Sequence, residues 1–172
     1  MFVPLIWVLC AKKNYMRKNT QLVIAGSLSI LAALLHISCI FGGPDWYLFF
    51  GAGQRMAQLA AQSDPYPTIV TLIIASILTG WGLYALSGAG VIFKLPLLKT
   101  CLVLITTIYL LRGVVGLIGP FFTSAPVVHQ NSVTFWVISS IMCCVYGTFY
   151  LLGTVQNCAN CQRRNMGILR LA

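Results

Sequence analysis

Long runs of this chain contain almost no polar residue, and those runs set its architecture. Four stretches, 22–41, 69–86, 97–118 and 133–152, are nearly continuous in apolar side chains. Each is close to the roughly 20 residues that an α-helix needs to cross the ~30 Å hydrocarbon core of a bilayer. Small or polar side chains recur in each at three- and four-residue spacing. They are Ser29, Ala32, Ala33, His36, Cys39 and Gly43 in the first run, and Thr68, Thr71, Ala75, Thr79 and Gly82 in the second. The third has Cys101, Tyr109, Arg112, Gly116 and Gly119, and the fourth Trp136, Ser140, Cys143, Gly147 and Tyr150. Small side chains let helices approach closely in lipid, where no hydrophobic effect drives them together, so these stripes are expected to face one another. Short second and third connectors make sequence neighbours antiparallel. The pattern predicts an all-α membrane protein, a single integral domain over 1–172 with four transmembrane helices in an up-down bundle.

The one long connector reads "GGPDWYLFFGAGQRMAQLAAQSDPYP". Pro44 suits a first helical turn, and Asp45 complements a helix N-terminus. Trp46, Phe49, Phe50, Gly53, Met56, Ala57 and Ala60 then recur at helical spacing, opposed by Gln54, Arg55, Gln58 and Gln62. This predicts an amphipathic helix over 44–62, lying in the outer interface and stopped by Pro65 and Pro67. The "GAG" within it neither follows a strand nor completes a dinucleotide-binding glycine motif.

Only 8% of the residues are charged, and the mean hydropathy is +0.88. Soluble domains carry about 25% charged residues, so no separate soluble domain fits. The net charge of +9 takes its meaning from position. Lys12, Lys13, Arg17 and Lys18 precede the first span, Lys94 and Lys99 lie at the second turn, and Arg163, Arg164 and Arg170 follow the last. The opposite side holds only Arg55. By the positive-inside rule both termini are cytoplasmic. The basic residues meet anionic lipid, each favourable by about 1 kcal/mol. Membrane lipids are the expected partners, with a homo-oligomer or a partner membrane protein beside them, and no nucleic acid. The opening "MFVPLIWVLCA" is too short to span and has no basic leader. Met16 begins "MRKNTQLVIAG", which already reads as a basic flank followed by a span and is an alternative start.

Seven cysteines are present. Cys39, Cys101, Cys143 and Cys144 lie within spans and behave there as small apolar residues. Cys158 and Cys161 form a C-x-x-C after the last span. A zinc site takes four ligands, and both histidines lie towards the other side; a dithiol there would be kept reduced by the cytoplasm. No metal or cofactor is expected.

Depth brings the polar residues together. His36 lies about 9 Å below the outer end of its span and Arg112 about 10 Å below that of its own. Tyr109, Ser76, Ser139 and Ser140 fall in the same outer-half layer. A charge at mid-membrane costs at least about 2.5–3.5 kcal/mol, so Arg112 calls for a partner. The chain has two acidic residues, of which Asp45 is better placed than Asp64. One reading is a buried Arg112–Asp45 tie pinning the interfacial helix. In the other, His36, Arg112, Asp45, Tyr109 and Ser140 bind an anionic or hydrogen-bonding head group from the outer leaflet. His36 alone also reads as a neutral ring bonded within the bundle. Trp46, Tyr47, Tyr66 and Trp136 are expected in the outer aromatic belt, and Trp81 and Tyr84 at the inner one. His129 reads as a loop residue. No Ser-His-Asp, paired-carboxylate or metal-spacing motif occurs, so no catalytic residue is assigned.

The stretches "HISCIFGGPDWYLFFGAGQRMA", "WGLYALSGAG" and "IYLLRG" resemble small four-helix inner-membrane proteins of bacteria, and the architecture is similar to that of DoxX-like membrane proteins. The resemblance implies a location and a fold, and carries over no active-site residue. The expected function is that of a non-enzymatic membrane protein with a small polar pocket in the outer half of the bundle. Its occupant would be a lipid, a quinone-like amphiphile or a partner helix. Two alternatives stand beside it. One is a membrane-embedded enzyme with His36 as acid or base and Arg112 stabilising an anion; the other is a small transporter subunit, although the internal repeats and broken paired helices of transporters are missing.

Overall fold

A computed structural model describes residues 19–122 and 133–169, with backbone alone for 120–122, 134 and 158–169. The first helix, α1, runs over Thr20–Phe49, started by Asn19, whose side chain accepts the Leu22 N–H at 3.3 Å. Its apolar run ends at Gly43, where φ is 66° and ψ −155°, a conformation essentially restricted to glycine. Pro44 follows, without the N–H that an unbroken helix would use, and a short helical piece resumes as far as Phe49. Gly51 and Gly53, with φ of 73° and 91°, then break the chain before α2, Gln54–Ala61. The helix expected over 44–62 is therefore two pieces, because "GAG" supplies left-handed backbone that no helix accommodates. Helix α3, Pro65–Gly88, begins with Asp64 accepting from the Tyr66 N–H at 2.7 Å and with proline in its first turn. Helices α4, Leu98–Phe122, and α5, Val133–Leu169, complete the order.

All regular structure among the described residues is helical, and α1, α3, α4 and α5 are each long and apolar enough to cross a membrane. Helix α5 continues well past 152 and takes Cys158 and Cys161 into its length; their side chains lie outside the described set. So do residues 1–18, with Met1, Met16 and the first basic cluster, and His129 and Arg170.

Helix α1 lies along α3 and α4 along α5, while α3 touches α4 and α5 touches α1. The four spans thus form a ring with α1 and α4 on one diagonal. Short side chains set the closest approaches. A Cβ on either Gly26 or Gly82 would stand 3.0 Å from the other's carbonyl oxygen, so α1 and α3 meet backbone to backbone. The core includes Leu22, Ala25, Leu102, Ile105, Tyr109, Tyr146 and Tyr150. Leu31, Leu34, Ile73, Leu104, Leu111 and Val155 face outward, as hydrocarbon contact requires. A second cluster of Cys39, Tyr47 and Ala57, flanked by Phe50, Met56 and Ala60, seats α2 against the bundle.

Candidate functional site

The polar residues expected in one layer separate into two. In the bundle core, Ser29 Oγ lies 3.2 Å from the Tyr109 hydroxyl and 3.0 Å from that of Tyr150, which itself donates to Trp81 O at 2.9 Å. With the Tyr150 proton on Trp81 O, Ser29 donates to Tyr150 and Tyr109 donates to Ser29. All three hydroxyls are then satisfied in one direction. The Tyr109 ring stands edge-on to Trp81 at 4.9 Å and stacks on Tyr150 at 5.4 Å. Tyr109 is thereby committed to the core. Trp81, expected in the inner belt, packs there too, and Tyr47, expected in the outer belt, is buried with its hydroxyl 3.3 Å from Thr71 Oγ1.

Arg112 belongs to the other layer. Helix side chains tilt towards the N-terminus, yet this guanidinium reaches the opposite way, towards the C-terminal end of α4. A Cβ on Gly116 would run into both Arg112 Nη1 and Ser140 Oγ. The guanidinium carbon sits 4.8 Å from the centre of the Trp136 ring, a cation–π geometry worth about 0.5–2 kcal/mol according to its desolvation. Trp136, near the start of its span, lies half-buried against the arginine.

Arg112 Nη1 and Ser140 Oγ are both buried and have no hydrogen-bond partner among the described residues. Hydroxyls on membrane helices ordinarily bond the carbonyl four residues back. Thr71, Ser76, Thr79 and Thr106 all do so here, at 2.7–2.8 Å. Ser140, with no exposed surface, does not. An unmatched buried donor costs about 1–3 kcal/mol, and more when charged.

The remaining expected members are bonded elsewhere or exposed. His36 is half-buried, and its Nδ1–H donates to Ala32 O of its own helix at 2.8 Å. The Arg112–Asp45 tie is not formed. Asp45 is exposed, carried outward by the Gly43 turn, and lines a groove of about 400 Å³ with Trp46, Phe49 and Phe50. Asp64 is used as the α3 cap. Ser76 faces outward. Among the described residues no cluster of three or more His, Cys, Asp or Glu could hold a metal ion. The sequence signal for the site was a pair of i, i+4 steps, Arg112–Gly116 on one helix and Trp136–Ser140 on its neighbour.

No known protein family matches the chain, and no characterised protein or solved structure is similar to it. Fold and composition define an integral membrane protein with four helical spans.

Proposed function

We propose that this is a non-catalytic protein of a bacterial inner membrane, with both termini cytoplasmic, that holds a membrane amphiphile or a partner helix in the outer half of the bundle. The site we assign to it is the meeting point of Arg112 and Ser140 over Gly116, with the Trp136 ring against the guanidinium. The observation that carries this reading is the meeting of two buried, unmatched polar atoms over one glycine. His36 Nδ1 is committed to a carbonyl of its own helix, which favours binding over proton transfer. The orientation rests on the distribution of basic residues, and the inner-membrane location on the resemblance to four-helix bacterial proteins.

The test is the amphiphile content of the purified full chain. Lipids and quinones extracted from the wild-type protein and from Gly116→Val and Ser140→Ala are compared by mass spectrometry. A component retained by the wild type should be depleted in both variants, Ser140→Ala serving as the change that leaves the helix contact intact. Equal retention in all three overturns the proposal.

A further inference from the structure

The Arg112–Ser140 site is unbalanced in charge, and that imbalance narrows its occupant. Arg112 lies mid-span, while the chain's two carboxylates are engaged or exposed elsewhere. Trp136 offers the guanidinium only the face of a ring. Among the described residues nothing of opposite sign accompanies this charge.

Resting on the amphiphile reading above, we infer that the group held between Arg112 and Ser140 is an oxyanion carried on an acyl chain, either a fatty carboxylate or the phosphodiester of an anionic phospholipid. Guanidinium nitrogens only donate, so the matching atom must be an acceptor. Ser140 Oγ–H, close to Nη1 over Gly116, can supply a second donor. A neutral carbonyl would fill those hydrogen bonds and leave the charge uncompensated in a medium of low dielectric constant. Carboxylate and phosphate do both, and the planar fork of arginine matches either. Depth agrees. Gly116 lies one turn before Gly119, roughly 5 Å below the outer end of the span, within reach of a head group. Leu111, Val115 and Ile118 run exposed along the same stretch of α4 and provide a path for the acyl chain. Protein encloses both donor atoms, so admission of the oxyanion swings the guanidinium off Gly116.

The experiment uses the full chain in phosphatidylcholine nanodiscs, with the thermal unfolding midpoint read against four added probes. These are palmitate, phosphatidylglycerol, a decyl-substituted benzoquinone and inorganic phosphate. Palmitate or phosphatidylglycerol should raise the midpoint, and whichever does so identifies the source of the oxyanion. Arg112→Met and Ser140→Ala should abolish that rise, each first shown to unfold cooperatively without probe. Arg112→Lys, which keeps the charge and loses the fork, should weaken the response about tenfold. An Arg112-dependent response to the quinone alone would overturn the oxyanion and leave the amphiphile reading standing. A response to inorganic phosphate without an acyl chain, or none to any probe, would overturn both.

Discussion

A single hydroxyl, that of Tyr150, joins three helices: its own, α1 through Ser29, and α3 through the Trp81 carbonyl. Tyr109 makes one bond, to Ser29. Buried hydrogen bonds contribute about 1 kcal/mol each, and an orphaned partner adds about 1–3 kcal/mol. Tyr150→Phe should therefore destabilise the protein in detergent by about 1–3 kcal/mol, and Tyr109→Phe by clearly less; equal losses on thermal unfolding would contradict the one-way chain of donors. Arg112 behaves differently, because its Nη1 is unmatched and Asp45 is exposed. A double-mutant cycle with Arg112→Met and Asp45→Asn should be additive within about 0.5 kcal/mol. A coupling of several kcal/mol, as expected of a buried ion pair broken on one side, would restore the tie that the sequence suggested.

Among the elements, the Gly43 turn separates the first span from the interfacial segment. No atom lies within 4 Å of a Cβ built there, and only the φ of +66° opposes a side chain. Gly43→Ala should thus cost about 1–3 kcal/mol through backbone strain alone. Gly80, also in open space but with ordinary helical backbone, is the control. Gly80→Ala should be neutral, or stabilising by up to about 1 kcal/mol. Chemical denaturation of both variants measures the contrast. The spans were legible in the sequence because a bilayer fixes the length of an apolar run. The small-residue stripes were legible because close packing needs them, as at Gly82, although its partner Gly26 lies one turn before the stripe read on α1. The break at 50–53 was not, since glycine fits both an amphipathic period and a left-handed turn. Depth could be counted along each helix, which brought Arg112 and Ser140 to one level. The direction each side chain takes around its helix could not. That is why His36 turned out to bond its own carbonyl, and why Trp81 and Tyr47, near span ends, read as belt residues although they point inward.

Over the whole molecule, the proposed topology gives reporter fusions a clear pattern. A fusion after Gln62 should be active only outside and one after Lys94 only in the cytoplasm; the reverse result would invert the molecule. The strongest packing pairs α1 with α3 and α4 with α5. Few polar bonds cross between these pairs, and they sit at two heights. Ser29, Tyr109, Tyr150 and Trp81 form one group. The other lies where α1 begins and α3 finishes: Asn19 Nδ2 donates to Gly153 O at 2.7 Å, and Asn157 Nδ2 to Gly88 O at 3.2 Å. Under mechanical load applied at residues 19 and 157, the two hairpins should unzip rather than unravel. The asparagine latches carry tension first and the tyrosine group second, so single-molecule pulling should show two force steps. Asn19→Ala should lower the first step and leave the second unchanged, because the load reaches the tyrosines only after the latches have opened.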